Sequence, residues 1–235
     1  LVSKASLSLF IDSAKTTAVS GLSEVGRDLW GVFPLRGKLL NVKDLPAEKV
    51  FKNEEIQNIV KILGLKIGMS YKKGTGEWPL RYGRILIMAD QDLDGTHIKG
   101  LVMNLFHTYW PSLLGNDFIT TMITPIVKAT KKSNTISFYN LFDYTNWKNS
   151  SENKGNWKIK YYKGLGTSNT QEAKDYFKNL HIQEFKYDEN TSDTALNLAF
   201  DKSLATDRKM WLKTYDESNV LDYTCKEISY EDFID

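Results

Sequence analysis

The chain has 235 residues, 41% of them hydrophobic, enough apolar side chain for a sizeable core in one large domain or two small ones. Lys and Arg number 31 against 29 Asp and Glu, a formal charge of +2, so overall positive potential is excluded as a basis for nucleic-acid binding, and any basic surface has to come from distribution. A single cysteine, Cys225, excludes an internal disulfide and a cysteine-based zinc site, His97, His107 and His181 lack metal-ligand spacing, and no apolar run or leader pattern points to a membrane.

Residues 7–11 read as a strand, after which Asp12 is an N-cap candidate for a helix reaching about Val19, with Gly21 ending it. Across 53–63, Ile56, Ile59, Val60 and Leu63 recur on one helical face before Gly64. Residues 68–79 form a Gly- and Lys-bearing loop that is expected to be mobile. Ile85-Leu86-Ile87-Met88 has the length and content of a buried strand. Ile98, Leu101, Val102, Leu105 and Phe106 then keep helical spacing, which places a helix back on the sheet with its N-terminus near the intervening loop. From Ala129 the composition turns polar, and Lys131 to Asn134 predict a turn before a strand at 136–139. A strand at 157–162 leads to a helix with Ser168 and Gln171 as its capping box and Ala173, Tyr176, Phe177 and Leu180 on one face. Residues 187–194 read as a loop before a final helical segment at 195–215. Alternating strands and helices argue for a parallel sheet with crossover helices, whose ligands gather at the carboxyl ends of the strands.

The segment Asp90-Gln91-Asp92-Leu93-Asp94-Gly95 ends the apolar strand in three carboxylates spaced two apart. So close together they repel unless a cation lies among them. Alternate positions on an extended segment share a face, so Asp90, Asp92 and Asp94 are expected to project toward one ion. Their hard oxygens favour Mg²⁺, with Mn²⁺ or Ca²⁺ as substitutes, over zinc. The competing reading is a solvated acidic turn whose aspartates accept backbone N–H groups or cap the next helix. An EF-hand is the sharper rival but fits poorly, because its twelfth loop position needs a bidentate Glu where Leu101 stands, and this loop follows a strand and not a helix. Elsewhere Arg27, Arg36 and Lys38 flank glycines, and Lys154, Lys158, Lys160 and Lys163 cluster with Trp157, Tyr161 and Tyr162. Each group is a candidate phosphate contact, with a solvated face as the alternative.

With the block from Asp90 to Gly100 in view, the chain resembles the TOPRIM region of eukaryotic-type DNA topoisomerase II. Three further blocks follow that family's order: Val25-Gly26-Arg27-Asp28, Pro34-Leu35-Arg36-Gly37-Lys38-Leu39-Leu40-Asn41-Val42, and Lys160-Tyr161-Tyr162-Lys163-Gly164-Leu165-Gly166-Thr167-Ser168. The resemblance implies an α/β fold: a Rossmann-like TOPRIM domain with a parallel sheet flanked by helices over residues 1–129, and a mixed α+β extension over 130–235. It implies part of the cleavage and religation core of an enzyme that passes one DNA duplex through another, with Mg²⁺ at Asp90, Asp92 and Asp94. DNA contacts are expected from Arg36, Lys38, Asn41, Lys160 and Lys163. For the parent enzyme it implies double-stranded DNA as partner, a homodimer, ATP as a second cofactor and a nuclear location. The chain is expected to be a piece of that enzyme, without its tyrosine nucleophile domain or its ATPase domain, inactive alone and binding no ATP. A TOPRIM nuclease or primase, and a non-catalytic DNA-binding module, are the rival readings.

One departure from the family pattern bears on the chemistry. Where the family carries a metal-binding Glu-Gly before Asp-Ser-Ala, this chain reads Phe10-Ile11-Asp12-Ser13-Ala14. A phenyl ring neither coordinates a cation nor exchanges protons, so the expected metal shell is short of one ligand. Glu24 is expected at the far end of the following helix and so is no substitute.

Overall fold

The computed structural model describes residues 6–11, 15–26, 28–74, 78–150, 153, 155–162, 164–216 and 219–235, with backbone alone at 8–11, 15 and 16. The elements in chain order are β1 Ser6–Ile11, α1 Lys15–Val25, β2 Trp30–Leu35, α2 Ala47–Phe51, α3 Glu54–Leu63, β3 Arg84–Met88, α4 Leu93–Tyr109, α5 Pro111–Leu114 and β4 Ile119–Met122. Then come β5 Val127–Lys131, β6 Asn134–Phe138, α6 Leu141–Asn149, β7 Lys158–Tyr161, α7 Thr170–Lys178, β8 Ile182–Lys186, α8 Glu189–Phe200, α9 Ala205–Leu212, β9 Glu227–Ser229 and α10 Tyr230–Ile234.

The main sheet runs β2-β1-β3-β4-β8-β9, and β5 pairs with β6 and β7 in a separate antiparallel sheet. From β2 through β4 all neighbours are parallel; β8 adds to β4 antiparallel, and β9 to β8 parallel. The apolar run of β3 shows why this sheet is covered on both faces. Ile85 and Ile87 join a core with Ile56, Ile59 and Phe106 from α3 and α4, whereas Leu86 and Met88 join a second core with Ala18 and Leu22 of α1 and Phe177 of α7. The second sheet has its own small core, where Val127, Ala129 and Phe138 meet Tyr144 and Trp147 of α6.

The fold is thus the expected α/β arrangement, with several local differences. The first helix runs through Gly21 to Val25 instead of stopping near Val19. Gly21 is there for close packing: a Cβ at that position would lie 1.9 Å from the Phe177 ring. The N-cap candidate Asp12 lies outside the described residues. The loop after α3 is anchored, not loose, over its described part. Tyr71 is 1% exposed, its hydroxyl accepts the Lys66 N–H at 2.8 Å, and its own N–H donates to Ser112 Oγ at 2.9 Å.

The capping box of α7 lies one residue later than expected. Asn169 Oδ1 accepts the Glu172 N–H at 2.8 Å, and Glu172 Oε2 accepts the Asn169 N–H at 2.9 Å. Residues 189–194, read as loop, form the first turns of α8, because Asp188 caps them by accepting the N–H groups of Asn190 and Thr191. The single helix expected over 195–215 is broken at Asp201, which caps a 3₁₀ turn at Lys202–Leu204 before α9. The expected division after residue 129 falls inside β5, and β8 and β9 return from the second half to extend the main sheet.

Candidate metal centre

β1 and β3 lie side by side and parallel, with Phe10 opposite Met88, so the two segments proposed to form one site leave adjacent strands at the same sheet edge. Phe10 also faces Pro34 of β2, which places the Arg36-Gly37-Lys38 segment beside them. Three strand ends and the acidic loop therefore converge, although the paired residues Phe10 and Met88 are 78 positions apart in sequence and are brought together only by the parallel register.

The three aspartates do not project together as alternation along an extended segment predicts. Asp92 is extended (φ −120°, ψ 178°) and its side chain accepts the Gly95 N–H, capping α4. Helical geometry begins at Leu93, so Asp94 is turned away, and its Oδ1 pairs with Lys38 Nζ at 2.7 Å. Lys38, with help from His97, holds the Asp94 carboxyl below its ordinary pKa. Asp90 has a different environment. Burial pushes its pKa up, the N–H of Leu165 opposes that, and the neighbouring Asp92 charge adds to the rise. Among the described residues no set of three His, Cys, Asp or Glu is gathered as a ready-made metal cluster.

Asp90 is held through Leu165, which is itself anchored to α1. Its Oδ1 accepts the Leu165 N–H at 2.7 Å, and Leu165 O accepts the hydroxyl of the buried Thr17 in α1 at 2.8 Å. Side-chain-free positions make this possible: a Cβ on Gly164 would lie 2.3 Å from Asp90 Oδ2, and one on Gly95 would lie 1.9 Å from Asp90 O. The second oxygens of Asp90 and Asp92 accept no hydrogen bond from a described residue. That donor set, two mutually repelling carboxylates each with an oxygen to spare, fits a hard divalent cation; Asp94 stands apart from them, bound to Lys38.

Of the residues expected to touch DNA, Lys38 and Arg36 are exposed at this edge. Asn41 is committed to the fold: Nδ2 donates to Phe200 O at 2.9 Å, and Oδ1 accepts from Asn104 Nδ2 at 2.9 Å. Lys160 is engaged by both oxygens of Glu172, at 2.7 and 2.8 Å, while Tyr162 donates to the same carboxylate at 2.6 Å. Burial pushes Glu172 up, but Lys160, Tyr162 and the Asn169 N–H together bring it below its ordinary pKa. Lys163 and Arg27 lie outside the described residues. Glu24 sits at the far end of α1 and pairs with Lys174 at 3.1 Å.

On the other side of the loop, a cleft of about 860 Å³ is walled by Asp92, Leu93, Thr96, Asp222, Glu227 and Asp232, among others, and no described Lys or Arg lines it. The charged side chains on this side are carboxylates, whereas Lys38 and Arg36 lie on the other. The sequence reading missed Lys99, which is buried in α4 behind the loop and donates to Gln91 Oε1 at 3.2 Å.

A sheet with a parallel core and an acidic loop at the carboxyl end of its central strand β3, continued by an extension whose strands complete the same sheet, defines a TOPRIM-type α/β protein. The family model for the C-terminal associated domain of TOPRIM matches residues 122–235. DNA topoisomerase 2-alpha of Rattus norvegicus is 51% identical over 208 residues, covering 88% of this chain and 14% of the relative. DNA topoisomerase 2, mitochondrial, of Dictyostelium discoideum is 50% identical over 228 residues, covering 95% and 18%. The crystal structure of the Plasmodium falciparum topoisomerase II DNA-binding, cleavage and re-ligation domain superposes with a TM-score of 0.91 at 45% identity, over 99% of this chain and 32% of that one. The chain belongs to the eukaryotic-type DNA topoisomerase II family, as its TOPRIM region with the C-terminal extension. It spans less than a fifth of the length of these curated relatives.

Proposed function

We propose that the chain is the metal-binding part of the DNA cleavage and religation core of an ATP-dependent type II topoisomerase, which changes DNA topology by passing one duplex through a double-strand break as a homodimer. The observation that carries this reading is the near-complete superposition on a DNA-binding, cleavage and re-ligation domain, with the acidic loop at the sheet edge where ligands gather.

In this reading Asp90 and Asp92 hold Mg²⁺, or Mn²⁺ or Ca²⁺ in its place. The chemistry a bound ion supplies is stabilisation of charge on the attacked phosphate and the leaving 3′ oxygen. The rest falls to this chain's own residues. Leu165 and Thr17 fix the Asp90 carboxylate; Lys38 and Arg36 hold the DNA backbone beside it; the acidic cleft keeps phosphates from the opposite side. Lys38 Nζ, already on Asp94, would exchange that partner for a phosphate oxygen, leaving the Asp94 carboxylate free beside the site. The tyrosine nucleophile and ATP binding belong to other parts of the parent enzyme. A nuclear location is part of the proposal, and the Dictyostelium relative, mitochondrial by name, supplies the competing location that fractionation of tagged protein would reveal.

The direct test is relaxation of supercoiled plasmid by the complete parent enzyme. Asp90→Asn is expected to abolish Mg²⁺-dependent cleavage and relaxation while DNA binding in chelator persists. Unchanged relaxation by Asp90→Asn overturns the assignment. Turnover of linear DNA by the 235-residue chain alone points instead to a TOPRIM nuclease.

A further inference from the structure

Lys99 has the most unusual setting of any charged group near the acidic loop. It is 2% exposed, and burial pulls its ammonium down to about 8. A lysine can bury its methylenes and leave its charge in water, but this one does not. Its Nζ makes one hydrogen bond to a described residue, Gln91 Oε1 at 3.2 Å, and no carboxylate of a described residue lies within ion-pair distance. Gln91 in turn donates to Met122 O at the end of β4, also at 3.2 Å. The fields that keep the ammonium charged come from Asp92 and Asp90, and Lys99 acts back on Asp90. A charge removed from water without a direct partner is costly, so its retention calls for an electrostatic reason. The two carboxylates in front of it supply one, because they repel each other and Asp90 is itself partly buried.

We propose that Lys99 is the resident counter-cation of the acidic loop: its fixed charge offsets Asp90 and Asp92 when no metal is bound and thereby limits how tightly they bind one. This rests on the reading that these aspartates hold a divalent ion. The two cations compete for the same negative field from opposite sides of the loop, Lys99 from within α4 and the metal from solvent. Lys99 is accordingly a positioning residue. It touches neither DNA nor metal, and it holds the loop's shape through Gln91 and its charge balance directly.

The test is Mn²⁺ titration calorimetry on this chain at pH 7, together with melting in EDTA, for the parent, Lys99→Met, Lys99→Arg and Asp90→Asn. Lys99→Met is expected to bind Mn²⁺ at least about tenfold tighter than the parent, as removal of a nearby buried charge demands, and to melt lower than the parent in EDTA. Lys99→Arg, which keeps the charge, is expected within about threefold of the parent. If Lys99→Met does not fold, Lys99→Gln, which keeps a donor for Gln91, carries the same expectation. A residue that merely packs would lower stability without raising affinity, so equal or weaker Mn²⁺ binding by the neutral variants overturns the proposal. The metal reading then still stands if Asp90→Asn abolishes binding by the parent. No Mn²⁺ binding by any form overturns the metal reading and this proposal together.

Discussion

Asp90 Oδ1 accepts the backbone N–H of Leu165 at 2.7 Å, a hydrogen bond between residues 75 positions apart. A peptide N–H has no rotamer to lose, so the second half of the chain fixes the carboxylate of the first more firmly than a side-chain donor would. The turn carrying Leu165 works only because Gly164 leaves room for the other oxygen.

Gly164→Ala therefore displaces the Asp90 carboxylate, since its Cβ would lie 2.3 Å from Oδ2. Calorimetry is expected to show Mn²⁺ affinity falling about fivefold or more, with a stability loss of about 1–3 kcal/mol as in other overpacked sites. Undiminished affinity would mean that the turn does not position Asp90.

Phe10 lies opposite Met88 in the parallel register, two residues before Asp90 in the neighbouring strand's direction. Phe10→Glu with Ile11→Gly is expected to tighten Mn²⁺ binding about tenfold by adding a third carboxylate, and to raise Mg²⁺-dependent cleavage when placed in the complete enzyme. No gain in either measurement rejects the view that Phe10 occupies a ligand position.

Lys38→Ala tests the phosphate contact and the ion pair separately. Binding of duplex DNA is expected to weaken, and the salt slope to drop by about one. In the free protein the Asp94 carboxyl, held below its ordinary pKa by Lys38, should return toward it. A depressed carboxylate pKa stabilises the fold above its unfolded value of 3.8 and loses that contribution as pH falls through the folded value. NMR titration of Asp94 reads the shift, and an unmoved titration would show that the pair does not persist in solution.

His107 provides a pH signature far from the loop. It is buried in α4, and Nε2 lies 2.8 Å from Asp193 Oδ1, an oxygen that also accepts from the Tyr187 hydroxyl. Burial pulls its pKa below 6.5, although Asp193 opposes the shift. The unfolded chain then binds more protons than the native one just below pH 6.5, so this contribution to stability is complete above that value and is lost as pH falls toward the folded pKa. Urea midpoints for the parent should drop between pH 7 and pH 5, and His107→Gln should flatten that slope. Identical slopes reject the assignment.

Much of the fold is legible where apolar periodicity is strong. Ile56, Ile59 and Leu63 mark α3, and Asn53 caps it by accepting the Ile56 N–H. The run before Asp90 is β3 and is buried on both faces as read. β4 was not read as a strand because Thr120 and Thr121 look polar, yet both are buried with hydroxyls donated to Ile85 O and Ile87 O. The opening of α8 hides behind exposed polar residues and shows itself only through the Asp188 cap. At the site, the carboxylates were legible but their directions were not, since the point at which strand geometry gives way to helix decides where Asp94 turns. Lys99 had a signal: it lies in a helix that is apolar nearly all round, from Ile98 through Leu101, Val102 and Met103 to Phe106, so a lysine there has no route to solvent.

The order β2-β1-β3-β4-β8-β9 constrains how this protein is made. Strands β8 and β9 come from residues 182–186 and 227–229, so on a ribosome the edge of β4 waits for 59 further residues before its neighbour begins to emerge. During that interval β4 is an unpaired edge carrying apolar neighbours, the kind of surface that chaperones recognise and that aggregates when synthesis stalls. Ribosomal pausing after β4 therefore exposes the nascent chain at its most adhesive stage, and the acidic loop acquires its Leu165 clasp only later in synthesis.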